Sequence, residues 1–198
     1  MKRLLLLLIF GFVSMLSHTP AWAQDSKPLK SKKIAMIIAD INFQDDELFI
    51  PLEYFKKSGA EVTVTSSKIG EHTGMRGKTI ETEKLYLDLD SAQFDAIVFV
   101  GGSGAVQYWD DPIAHELAQK TIQNNKILAA ICLAPVTLAN AGVLKNTNAT
   151  VWPDSIDQIK QKGAKYAGEG VFADGKIITA SGPQYAKKFA EQIVKNLK

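Results

Sequence analysis

Cys132 is the one cysteine of a 198-residue chain, and it stands where a short apolar run, residues 126–131, gives way to a helical pattern at residues 135–141. A buried strand that turns sharply into a helix lifts the side chain at the bend above the sheet, and the first N–H groups of the helix point towards it. That suits a nucleophilic sulfur, because the thiolate is the reactive form and nearby N–H groups lower a thiol pKa of about 8.5. The bland alternative is a small buried hydrophobe. A second feature bears on the choice. The apolar run 96–100 leads directly into Gly101-Gly102-Ser103-Gly104, and glycines at the end of a strand let backbone N–H groups approach a ligand closely.

Both features need a sheet to hold them. Residues 34–39 form a two-sided apolar run of the kind that fills a parallel sheet covered on both faces. A helical pattern follows from Asp45 to Ser58 and stops at Gly59, and the β-branched stretch 61–65 reads as a strand, so the domain opens with a βαβ unit. Residues 69–89, rich in glycine, threonine and charge, read as an extended excursion or hairpin with turns near Gly74 and Gly77. A helix is expected over 112–123, a strand over 150–152, a short helix over 155–162, a turn region over 170–175, a last strand over 176–180 and a closing helix over 183–197. Strands alternating with helices specify a doubly wound α/β sandwich, whose sites form beyond the carboxyl ends of the strands. Cys132 and the Gly101-Gly102 loop both fall there, which favours the functional reading.

The amino-terminal end reads as an export signal. Lys2-Arg3, an apolar core over residues 4–16 and the Ala21-Trp22-Ala23 ending supply the three regions of a cleavable peptide. The core is about 13 residues, too short for an ordinary membrane span. The chain therefore divides into a signal peptide (1–23), a polar linker (24–32) and a single domain (33–198), secreted and most simply periplasmic, with no stable membrane anchor after cleavage. Cutting after Ala23 removes two bases and no acid, leaving 21 of each. A neutral chain offers no electrostatic case for nucleic acid. One cysteine permits no internal disulfide, so an exported thiol must be buried, oxidised, paired with a partner or used.

Five motifs in order resemble the PfpI-like (ThiJ/PfpI) family of the class I glutamine amidotransferase-like superfamily, which includes intracellular proteases and the Parkinsonism-associated protein deglycase. They are Phe43-Gln-Asp-Asp-Glu-Leu48 with Pro51 and Gly59, Phe94-Asp-Ala-Ile-Val-Phe-Val-Gly-Gly102, Ala130-Ile-Cys-Leu-Ala-Pro135, Ala141-Gly-Val-Leu144, and Asp174-Gly-Lys-Ile-Ile-Thr-Ala-Ser-Gly-Pro183. The resemblance covers residues 33–198. It implies a flavodoxin-like, mostly parallel sandwich, a homodimer, Cys132 as nucleophile, Glu47 hydrogen-bonded to its sulfur, and oxyanion donors at Gly102 and Leu133, with Gly101 and Trp152 beside them in the pocket. The pairing has physical sense: a carboxyl pressed against a thiolate is disfavoured as a second anion, so it keeps its proton and can donate it. Glu47 could otherwise serve the helix dipole, a role that Asp45 and Asp46 are expected to fill.

Departures from the family narrow the chemistry. Gln44 stands where protease-like relatives often carry glutamate. Leu133 stands where many members, and Trp152 where some relatives, have histidine. Beyond the signal only His72 and His115 remain. His72, in the excursion, reads as an exposed loop residue with some chance of reaching the site, and His115 reads as surface. Without a cysteine–histidine pair, peptidase and amidotransferase chemistry are demoted. One cysteine and two scattered histidines make no metal site, and no cofactor is required. Two function classes remain. In one, Cys132 adds to a small reactive carbonyl such as methylglyoxal while Glu47 moves the proton; in the other, Cys132 is a non-catalytic redox or stress sensor whose partner is an oxidant. In a third, bland reading, a small ligand binds and the thiol is incidental.

Overall fold

The structure, a computed structural model, describes residues 27–198. The expected signal peptide, residues 1–23, and most of the expected linker lie outside the described residues. In chain order the elements are β1 (Lys33–Ile37), β2 (Ile41–Phe43), α1 (Asp45–Lys57), β3 (Glu61–Thr65), β4 (Gly70–Gly74), β5 (Thr79–Thr82), β6 (Ala96–Phe99) and α2 (Pro112–Gln123). They continue with β7 (Ile127–Ile131), α3 (Pro135–Asn140), β8 (Asn148–Ala149), α4 (Ile156–Gln161), β9 (Lys165–Tyr166), β10 (Val171–Asp174), β11 (Ile177–Ala180) and α5 (Ala186–Leu197).

Alternation along the strands makes the layers. In β1, Ile34 and Met36 face the core under α1 and α5, whereas Ala35 and Ile37 face the core under α2, α3 and α4. Both faces of β6 and β7 are buried in the same way, as expected of strands covered on both sides. The main sheet has the order β10-β11-β7-β6-β1-β3. It is parallel throughout except for β10, which runs antiparallel to β11. The chain moves outward from β1 to β3 and then crosses to β6 on the other side, so the loops after β1 and β6 diverge. A crevice opens at such a reversal of strand order, beyond the carboxyl ends of the strands.

Two expected elements differ. Residues 150–152 are not a strand: Thr150 N–H donates to Thr179 Oγ1 at 2.9 Å and Trp152 N–H to the Cys132 carbonyl at 2.8 Å, so this stretch braces the sheet end instead of pairing along it. The glycine-bounded segment 170–175 is largely strand β10, because Gly175 provides the tight turn (φ +59°) that folds it back onto β11. The excursion is the hairpin β4–β5, and its first strand, β4, also pairs with β2, a three-residue strand too short for its pattern to announce.

Candidate active site

The fully buried strand β7 ends in Cys132, whose φ of +63° places a non-glycine residue in the left-handed region. That conformation costs about 1 kcal/mol or more and persists only where the surroundings enforce it. Here they do. Cys132 N–H donates to the Ala180 carbonyl at 2.8 Å, its carbonyl accepts from Trp152 N–H, and the Trp109 indole N–H donates to the Leu133 carbonyl at 3.1 Å. His115 and Asn140 in turn donate to the Trp109 carbonyl at 2.7 and 2.8 Å. His115 is thus a half-buried brace and not a surface residue.

Glu47 arrives from the first turn of α1. The helix starts there because the Gln44 side-chain oxygen accepts from the N–H groups of Asp46 (2.6 Å) and Glu47 (3.2 Å), capping donors that the first turn leaves free. Glu47 is fully buried, and neither carboxyl oxygen has a well-formed hydrogen bond. Its polar neighbours are the Cys132 thiol and the Gly101 N–H. Gly101 lets them meet: a Cβ placed there would lie 2.4 Å from Glu47 Oε2 and 2.6 Å from Cys132 Cβ.

Burial pushes the Glu47 carboxyl up to about 8, against the downward pull of Cys132 and the Gly101 N–H. The Cys132 thiol is raised as well, first by burial and then by the charge of Glu47, although the N–H groups of Gly102 and Leu133 at the sulfur lower it. The elbow was expected to depress this thiol. The six-residue α3 and the two N–H groups do not outweigh desolvation of the anion. At neutral pH the pair therefore holds both protons. The first leaves the carboxyl near pH 8, and the thiol, itself raised, keeps the other. Iodoacetamide should accordingly alkylate Cys132 slowly at neutral pH and faster as pH rises. A profile that is flat from pH 6 to 9 would refute the raised thiol.

Above the sulfur lies a cavity of about 270 Å³ lined by Gln44, Met75, Gly102, Ser103, Cys132, Leu133, Trp152 and Pro183. No charged side chain and no histidine is in that lining. Two roomier open grooves, along β3 and along β10, contain neither the cysteine nor a buried ionisable group. Of the residues expected at the site, Cys132, Gly102, Leu133 and Trp152 line the cavity, Glu47 sits behind the sulfur, and Gly101 packs beneath it.

His72 does not reach the cavity. It is buried on β4, with Nδ1 3.2 Å from Asp40 Oδ1 and Nε2 2.8 Å from Thr82 Oγ1, and so pins the hairpin to the loop after β1. The Lys68 ammonium and, more weakly, His72 hold the Asp40 carboxyl below its usual range. Asp45, expected to be a solvated helix-end acid, is fully buried and accepts from the N–H groups of Arg76 (2.8 Å) and Lys78 (3.0 Å). It clamps the hairpin turn onto α1 and so delivers Met75, a residue that no chemical motif singled out, to the cavity rim. The Met75 thioether accepts there from Ser103 N–H at 3.4 Å.

Comparison with known proteins agrees with this architecture. A profile of the DJ-1/PfpI family matches residues 32–196. An uncharacterised protein of Methanocaldococcus jannaschii is 40% identical, covering 98% of this chain and 97% of its own. A deglycase of Thermococcus kodakarensis is 31% identical over 84% of this chain and 99% of its own. Among solved structures, a ThiJ/PfpI domain protein from Brachyspira murdochii superposes with a TM-score of 0.82 at 34% identity, covering 85% of this chain and 97% of that one.

Proposed function

This chain belongs to the DJ-1/PfpI family, and on that footing we propose that it is a cofactor-independent enzyme acting on small reactive carbonyls, with Cys132 as nucleophile and Glu47 as proton carrier. Relatives named deglycases support the class of reaction. The observation that carries the reading is the fully buried Glu47 carboxyl held against the cysteine where Gly101 leaves room for both. Burying a carboxyl with so few partners costs several kcal/mol, so this group is not there for stability.

The steps follow from the geometry. Once ionised, as it is above about pH 8, Glu47 takes the thiol proton, the sulfur adds to the aldehyde carbon, and the carbonyl π pair moves onto oxygen, where the Gly102 and Leu133 N–H groups hold it. Glu47 returns the proton to that oxygen, giving a neutral hemithioacetal. For an aldehyde with an adjacent ketone, the carboxylate can then carry the proton from the first carbon to the second while the hydroxyl proton passes from the first oxygen to the ketone oxygen, so that one carbon is oxidised as the other is reduced. Hydrolysis of the resulting thioester consumes one water, frees the thiol and yields a 2-hydroxy acid.

Peptide cleavage has less support, since no histidine lines the cavity to protonate a leaving amine. With residues 1–23 acting as a cleaved signal, the enzyme would intercept carbonyls in the periplasm. The test is loss of methylglyoxal by the protein before and after stoichiometric alkylation of Cys132 with iodoacetamide. Activity should fall to the uncatalysed background, and undiminished loss by the fully alkylated protein would sink the proposal.

A further inference from the structure

Resting on the carbonyl reading, we infer that the Gln44 side-chain amide is a substrate-binding group, its Nε2 donating a hydrogen bond to the second oxygen when the aldehyde carries an adjacent ketone.

The orientation of the amide is decided by the helix it caps. Gln44 Oε1 accepts from two backbone N–H groups, those of Asp46 and Glu47. Amide nitrogen is a donor only, so a flip would forfeit both bonds and turn an NH2 group against two N–H donors. Nε2 is therefore the arm left over, and it has no partner among the described residues. Gln44 is half-buried and lines the same cavity as Cys132, Gly102 and Leu133. Its backbone is locked to the glycine loop: Gln44 N–H donates to the Gly101 carbonyl at 3.0 Å, and a Cβ on Gly102 would lie 2.4 Å from Gln44 N.

The cavity thus offers a backbone donor pair at the sulfur and two side-chain donors, the Ser103 hydroxyl, whose hydrogen turns freely, and the Gln44 amide, whose orientation the helix cap fixes. A simple aldehyde has an oxygen for the backbone pair alone. A 1,2-dicarbonyl has a second oxygen on the neighbouring carbon, and the Gln44 amide is the pre-oriented donor that can receive it. What remains of the wall is apolar: Met75, Leu133, Trp152 and Pro183. Met75 is held there by Ser103 N–H and by the turn that Asp45 clamps. A small apolar substituent fits that wall, whereas a carboxylate or phosphate would be desolvated with no cation to receive it.

The deciding experiment compares wild type with Gln44→Ser. Serine is a favoured helix cap, so an oxygen remains for the α1 N–H groups while the donor arm is lost and no charge is added. Methylglyoxal and propanal are each used to protect Cys132 from iodoacetamide, and the half-protecting concentration is read for both proteins. For methylglyoxal it should rise about tenfold in Gln44→Ser, the scale of one hydrogen bond. For propanal it should stay the same, as should the alkylation rate without aldehyde. No rise, or an equal rise for both aldehydes, overturns the assignment of Gln44. Turnover separates the two readings: methylglyoxal consumed with equal kcat/KM by both proteins rejects the Gln44 role and keeps the enzyme. Selective protection without consumption keeps the Gln44 role and rejects the enzyme, and absence of protection in wild type rejects both.

Discussion

Glu47→Gln is expected to lose carbonyl consumption by about 10²- to 10⁴-fold, the usual contribution of a positioned acid–base group, while gaining stability at alkaline pH. The gain follows from linkage. The folded-state pKa of Glu47 is raised from 4.5 to about 8, so the folded protein binds this proton more tightly than the unfolded chain does. Below pH 4.5 the residue costs nothing through ionisation. As pH rises from 4.5 to 8 the unfolded chain releases the proton and the folded one retains it, and stability falls until both forms are ionised. Between pH 5 and pH 8.5 this amounts to about 4 kcal/mol at about 1.4 kcal/mol per unit, an order-of-magnitude figure for a fully buried group. Urea unfolding of both proteins at these two pH values isolates the effect, since every other group titrates in common. Wild type should lose several kcal/mol more than Glu47→Gln over the interval. Parallel losses would mean that Glu47 is ionised and well solvated in the folded protein, contrary to its burial. A residue that weakens the fold at the pH where its chemistry runs is the signature of a site kept for function.

Gly101→Ala should damage the fold and the site together. The backbone there needs no left-handed conformation, so the effect is purely steric. The added carbon would sit 2.4 Å from Glu47 Oε2, 2.6 Å from Cys132 Cβ and 2.6 Å from the Ile131 carbonyl. The last two belong to β7 and its elbow, which are tied to β11 and Trp152 and cannot yield cheaply. Overpacking of this kind costs about 1–3 kcal/mol, or roughly 5–10 °C in Tm for a domain of this size. The same displacement separates carboxyl from sulfur, so the pH profile of alkylation should differ from that of wild type in whatever protein folds. Wild-type Tm together with an unchanged alkylation profile would show that the two elements are not in contact through Gly101.

Much of the scaffold was legible because its signals are local. Runs such as 96–100 and 126–131 are apolar on both faces, which by itself implies a covered parallel sheet, and α2 is bounded by Asp111 capping its own helix with Pro112 following. The hairpin turns were marked by Gly74 and Gly77. What escaped were elements whose partner lies far along the chain. Strand β2 is three residues long and exists because β4 pairs with it, and β10 is strand because Gly175 returns it to β11. His72 looked like a loop residue for the same reason: its partners Asp40 and Thr82 come from two other segments, and together they make it a buried brace.

By itself the sequence determined the α/β alternation, the elbow at Cys132 and the glycine loop beside it, since strand burial, turn chemistry and helix caps are written in neighbouring residues. Tertiary structure alone decided which of three consecutive acids does what. Asp45 turns inward to clamp a hairpin, Asp46 pairs with Arg76 at the surface, and Glu47 is sealed behind the sulfur. It also decided the direction of both ionisations, raising a thiol that the elbow was expected to lower. The physical reason is that desolvation depends on everything packed around a group, and those neighbours come from β6, β7 and α1 at once, beyond the reach of any local pattern.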